Sequence, residues 1–285
     1  ALIRADGADQ FADFPTSGFN HVILCVPTPK DTIWLECTSQ TKAFGYLGDF
    51  TDDRYVLLLT PEGGRLVRTP LYQPADNLQV RTIEIKLEEV GNAIASIQTN
   101  YTGLQQDTYS SVLNQLNAED QKEWLYKHIK IASFEIQSFK LSEQKSLIPA
   151  VKEQLALLIK QYASKSGNRI FINPNLMNIW RLNLPSNIKR KSAIEWENGF
   201  IDTDSVRLIL PTGYKAEFVP ASTRIESKFG KYEINIEIKE GEIHYCRRMF
   251  MPKGIYPPGF YTEMADFFKK VTKADKSQLV LVKKE

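Results

Sequence analysis

Reactive side chains are scarce in this chain. Its 285 residues hold three cysteines and three histidines, with no C-x-x-C or similar metal-ligand spacing among them, so a structural zinc is not expected. No apolar run approaches the roughly 18 residues that a membrane-spanning helix needs. An excess of one charge is missing too, since 36 Lys and Arg stand against 34 Asp and Glu. The basic clusters are short, namely Lys189-Arg190-Lys191, Arg247-Arg248 and Lys283-Lys284. A nucleic-acid surface calls for a concentrated stripe, so each of these reads as solvated surface. The expectation is no cofactor, no metal, no nucleic-acid partner and no membrane span in this chain.

What is present is ample apolar material. With 42% hydrophobic and 25% charged residues, the chain can bury a substantial core as one large or two ordinary domains. The densest chemistry lies near the start. Phe19-Asn20-His21-Val22-Ile23-Leu24-Cys25-Val26 and Asp31-Thr32-Ile33-Trp34-Leu35-Glu36-Cys37-Thr38 are rich in β-branched and aromatic residues. Pro27-Thr28-Pro29-Lys30-Asp31 between them is turn chemistry, which predicts an antiparallel hairpin. A turn centred between Thr28 and Pro29 sets His21 opposite Glu36, with Cβ atoms roughly 5 Å apart on one face. A carboxylate there would fix the imidazole's tautomer and leave its other nitrogen to take a proton from a nucleophile. The same pair also suits an ordinary contact across a β-pair, and a one-residue slip in register would separate the two.

The His21 and Glu36 segments, with Phe44-Gly45-Tyr46-Leu47 and Thr60-Pro61-Glu62-Gly63-Gly64, resemble the second half of a bacterial transglutaminase-like domain. The likeness is to the Bacteroidetes-type architecture in which such a core is flanked by β-rich domains of unknown function. It continues through Gly199-Phe200-Ile201-Asp202-Thr203-Asp204 and Phe229-Gly230-Lys231-Tyr232. The resemblance implies a papain-like core with a Cys at a helix start, a His on the next strand and an acid on the strand after. His21 matches that histidine and Glu36 the acid, here Glu in place of the usual Asp. The implied activity is that of a cysteine protease or acyltransferase, hydrolysing an amide or transferring an acyl group on a protein or peptide substrate. A periplasmic or cell-envelope location is implied in the same way.

The nucleophile departs from that pattern. Cys25 has the strand parity of His21 but lies four residues on, about 13 Å along a strand, whereas nucleophile and base must come within about 3.2 Å. Cys37 neighbours Glu36 and points to the opposite face, and Cys246 belongs to a distant segment; all three read as small residues packed in strands. The chain starts at Ala1 with no Met and reads as the C-terminal part of a longer protein whose missing N-terminal part is both thiol donor and partner. Trp34, on the His21 face, would either shield an acyl intermediate from water or pack in the core. Three readings stay open: a cysteine enzyme, inactive as this chain alone; a non-catalytic binding or scaffold protein of the cell envelope with a vestigial triad; and, for residues 71–285, a structural module that positions the core.

The expected fold class is α+β, mostly β: residues 1–70 as the C-terminal part of the transglutaminase-like core, then residues 71–285 as a β-rich region of β-sandwich type with helices near 104–128 and 259–273. Residues 1–5 read as a short strand, residues 11–17 as a loop, and residues 54–60 and 65–69 as a second hairpin. Two prolines mark residues 70–75 as a linker. Alternation predicts strands over 78–87 and 93–101. Leu104, Tyr109, Val112, Leu113 and Leu116 recur at helical spacing, and Asn117 is placed to cap a second helix ending at His128. Residues 131–136 read as strand. Residues 151–162 favour helix by propensity and strand by alternation; the family likeness tips them to strand. Short strands follow over 169–172, 205–210, 214–219, 232–238, 243–250 and 279–282, with Asp202-Thr203-Asp204 as a turn between them. His128 suits a helix C-terminus. His244, Cys246 and Arg248 should face one way and Tyr245, Arg247 and Met249 the other, with nothing converging on His244.

Overall fold

Alternating apolar and polar residues set the architecture. In the computed structural model, which describes residues 1–5, 18–29, 31–182, 184–185 and 189–284, 46% of the described residues are strand and 16% helix, so the class is α+β and mostly β. The loop expected over residues 11–17 lies outside the described residues, as does Lys30 of the first turn. The largest sheet has eight strands, in the order Thr223–Ser227, Gly230–Lys239, Glu242–Met251, Phe200–Ile209, Leu78–Leu87, Ala93–Thr102, Ala150–Ile159 and Phe134–Gln144. All its pairings are antiparallel except that of Phe200–Ile209 with Leu78–Leu87.

Along Ala150–Ile159 buried and less buried positions alternate strictly, with Val151, Leu155, Leu157 and Ile159 inside. That face is worth more than helix propensity, because each buried aliphatic contributes about 1.5–3 kcal/mol. Ile83, Ile85, Ile97, Leu208, Tyr232 and Met249 continue the face on neighbouring strands. The same apolar cluster takes in Ile170, Ile172, Leu279 and Leu281 of a four-stranded sheet, and Met264, Phe267, Phe268 and Val271 of the helix Tyr261–Asp275. The helical stretch holds α1 (Asp107–Gln115) and α2 (Ala118–His128). Asn117 caps α2 by accepting the Glu119 and Asp120 amides at 2.9 and 3.0 Å, a cap worth about 1 kcal/mol.

Residues near the start form a separate four-stranded sheet, ordered His21–Val22, Leu2–Ile3, Tyr55–Thr60, Gly63–Arg68. Ile3, Ile23, Trp34, Leu47 and Val56 make its core, so Trp34 packs. The stretch over residues 69–73 has no regular structure but is anchored: Tyr72 is buried and its hydroxyl accepts the Leu47 amide at 2.9 Å. Asp53 pairs with both Arg68 and Lys253, and the Tyr46 hydroxyl donates to Asp107 at 3.0 Å.

Three expectations are corrected. Asp202-Thr203-Asp204 is no turn but lies within the strand Phe200–Ile209, which begins five residues earlier than expected. Residues 131–133 precede the strand Phe134–Gln144 instead of opening it. Arg247 is not solvated surface: it is fully buried, donating from Nε to Asp275 at 2.9 Å and from Nη1 to Asp204 at 3.4 Å, while Arg248 on the other face is exposed. Arg81 joins the seam, reaching Asp204 at 3.1 Å. A guanidinium can be buried this way because its charge is matched by carboxylates that also take its hydrogen bonds.

Candidate functional site

His21 and Glu36 meet, though not as the register expected. The hairpin pairs Leu24–Pro27 with Thr32–Leu35 so that Cys25 faces Trp34 and Val26 faces Ile33. The loop is closed by Thr28 and Asp31: the Thr28 amide and hydroxyl both donate to the Asp31 carbonyl, at 2.8 and 2.6 Å. This moves the pairing by two residues from the expected one, and a shift of two preserves the face where a shift of one would reverse it. The hairpin also stops before His21. At Ile23, whose amide donates to the Ala1 carbonyl at 3.0 Å, the chain changes partners, and His21–Val22 pairs with Leu2–Ile3 instead.

The imidazole bridges the gap by side-chain reach. His21 Nε2 lies 3.0 Å from both Glu36 oxygens. The Glu36 side chain is 2% exposed and that of His21 14%, so the contact is shielded while the imidazole keeps an outlet. Burial works against ionisation of Glu36, but the Thr38 hydroxyl and amide, at 2.7 and 3.1 Å, together with His21, outweigh it and hold the carboxyl below its usual value. A carboxylate so held takes the Nε2 hydrogen and leaves Nδ1 as the basic nitrogen. Phe50 packs edge-on to the ring at 5.1 Å. The sequence reading missed Thr38 and Phe50. Glu36-Cys37-Thr38 does carry a local signal, since a Thr two residues beyond a carboxylate can turn its hydroxyl and amide back onto it.

No thiol is hydrogen-bonded to His21 among the described residues. Cys25 is half-buried in the hairpin, the Cys37 thiol donates to the Leu35 carbonyl at 3.6 Å, and Cys246 is exposed on the eight-stranded sheet. The other histidines are locally occupied. His128 stacks on Trp124 at 4.0 Å with Nδ1 2.8 Å from the Trp124 carbonyl, and His244 pairs with Glu242 at 2.6 Å. Among the described residues no three His, Cys, Asp or Glu are grouped to hold a metal, and no helix is long and apolar enough to cross a membrane.

A family model described as a domain of unknown function with a solved structure, DUF3858, matches residues 168–281. That stretch contains Asp204, Arg247 and Asp275 but neither His21 nor Glu36. Among solved structures, a crystal structure described as a "putative protease" from Parabacteroides distasonis ATCC 8503 is 12% identical with a TM-score of 0.42, over 93% of this chain. This chain spans 36% of that one's length. No curated protein matches.

Proposed function

We propose that His21 and Glu36 are the general base and the orienting acid of a transglutaminase-like cysteine site, and that the thiol is supplied by a segment outside this chain. The observation that carries the reading is the contact of His21 Nε2 with both oxygens of the shielded Glu36 carboxylate. In the reaction, Nδ1 takes the thiol proton, the thiolate adds to a peptide or side-chain amide carbonyl, and Nδ1 returns the proton to the departing amine. Water or a second amine then releases the acyl group, giving hydrolysis or transfer. Residues 1–70 would form the acid and base side of that site, with residues 71–285 as its β-rich support. This chain alone would turn nothing over.

The test uses the full protein that carries this chain. Iodoacetamide labelling of its reactive cysteine should persist well below pH 8.5, about the usual thiol value. His21→Ala should return the labelling midpoint toward that value and abolish amide turnover without loss of fold. Retained turnover in His21→Ala would remove the base assignment. A second reading, a non-catalytic binding or scaffold protein, is consistent with the absence of a thiol on His21 among the described residues; it predicts no fast-labelling cysteine in the full protein.

A further inference from the structure

A second concentration of charged and aromatic side chains lies on the eight-stranded sheet, well apart in sequence from His21 and Glu36. There, beside α2 and Asn178, opens a cavity of about 280 Å³. Arg81, Tyr101, Glu153 and Asp202 reach it from the strands, and Tyr109 and Trp124 from the helices. Tyr109 stacks on Tyr101 at 3.8 Å and meets the edge of Trp124 at 5.5 Å, so one side is an aromatic wall.

Of the four carboxylates in and beside it, two have no ion-pair partner among the described residues. Two guanidinium groups, Arg81 and Arg247, serve Asp204 and Asp275. Glu153 and Asp202 are left over, and their bonds come from neutral donors: the Tyr101 hydroxyl to Glu153 at 3.2 Å, and the Gln105 and Asn178 amides to Asp202 at 3.0 and 3.4 Å. Arg81 is turned elsewhere: its nitrogens donate to Thr99, Asp204 and Tyr101, and among the described residues it makes no ion pair with either carboxylate. At the rim, the Lys130 ammonium donates to the Lys127 carbonyl and His128 engages the Trp124 carbonyl.

We propose that this cavity receives a small organic cation, a primary ammonium or guanidinium group of the size of a lysine or arginine side-chain end, with Glu153 and Asp202 as its counter-charges and Trp124 and Tyr109 as its wall. The volume suits one such group and is too small for an extended oligomer, because pockets for drug-sized ligands start at about 300 Å³. Aromatic faces attract cations and so add to the two carboxylates. Without the cation, burial raises the pKa of both carboxyls against the opposing pull of Arg81 on Glu153, and of Gln105 and Arg247 on Asp202. A bound cation reverses that effect, so binding should release protons.

Calorimetric titration of this chain with agmatine and with Nα-acetyl-lysine amide, against the neutral Nα-acetyl-norleucine amide, tests the assignment. The cations should bind saturably and on the order of tenfold more tightly than the neutral probe. Their heats should differ between phosphate and Tris buffers by the enthalpy of the released protons. Glu153→Gln with Asp202→Asn should abolish both effects. Equal binding of the neutral probe, absence of saturable cation binding, or binding without proton release would each overturn the proposal. The wild-type comparison decides even if the double variant does not fold.

Discussion

The Arg247 guanidinium donates from Nε to Asp275 at 2.9 Å with both side chains fully removed from solvent. Asp275 ends the helix Tyr261–Asp275, where a carboxylate opposes the helix dipole. It is held there by donors from three directions: Arg247 and the Tyr232 hydroxyl from the sheet, the Asn175 amide at 2.8 Å, and the Trp180 backbone amide at 2.8 Å. One ion pair thus joins a helix end, a strand and an irregular segment.

Arg247→Ala should therefore cost about 3–5 kcal/mol, because it leaves Asp275 as a buried charge without its cation and Asp204 with Arg81 alone. Arg248→Ala, one residue away on the exposed face, should stay within about 0.5 kcal/mol. Denaturant unfolding of the two variants measures the contrast directly. Equal losses would mean that the buried pair is not what holds the helix end.

The same two residues mark what the sequence disclosed. Alternation correctly set Tyr245, Arg247 and Met249 on one face, but residue type alone assigned Arg247 to solvent. Its partners lie 28 and 43 residues away in sequence, and no local pattern links them. Asp202 and Asp204 were obscured for the converse reason: an Asp-Thr-Asp run is good turn chemistry, and it is strand here because it pairs with Leu78–Leu87 and Glu242–Met251, both distant in sequence. The α2 cap was legible because Asn117 acts on amides two and three residues ahead. At the candidate site the residue types disclosed the pair, while the register depended on Thr28 and Asp31, which close the loop beyond the expected turn centre.

Thr38→Ala should raise the Glu36 pKa. The folded carboxyl lies below its ordinary value although burial pushes upward, so losing the hydroxyl bond at 2.7 Å lets burial count for more. A depressed carboxylate contributes stability that is present above the unfolded pKa and lost as pH falls through the folded one. The variant should accordingly lose stability near pH 7 and depend less on pH in the acid range. Carbon-detected NMR titration of the Glu36 carboxyl checks the shift; an unchanged midpoint would show that Thr38 does not hold the acid.

Asp107 carries the opposite sign. Burial raises its pKa to about 6, against the pull of Lys42 and the Tyr46 hydroxyl. Its contribution is full below the unfolded carboxyl value and is lost as pH rises through about 6. Asp107→Asn keeps an oxygen for the Tyr46 hydroxyl but cannot ionise. It should gain on the order of 1–2 kcal/mol over the parent at pH 7.5 and little at pH 4. Thermal unfolding at both pH values is the measurement, and a loss at pH 7.5 would place the carboxylate charge among the stabilising groups.

Gly91 and Gly167 separate backbone strain from steric collision. Both have positive φ, +90° and +60°, a conformation that costs an L side chain roughly 1–2 kcal/mol. At Gly167 an added Cβ meets nothing within 4 Å, whereas at Gly91 it would stand 2.4 Å from the Ala163 carbonyl oxygen. That oxygen cannot withdraw freely, because the Ala163 amide donates to the Gly91 carbonyl at 2.9 Å and fixes the two segments together. Gly167→Ala should then cost only the conformational term, and Gly91→Ala about 1–3 kcal/mol more, the usual range for forced overpacking. Hydrogen exchange should localise the added loss to the turn between Leu78–Leu87 and Ala93–Thr102. If both variants unfold at the same denaturant concentration, the turn and the Ala163 segment separate at little cost, and the bond between them contributes almost nothing to the fold.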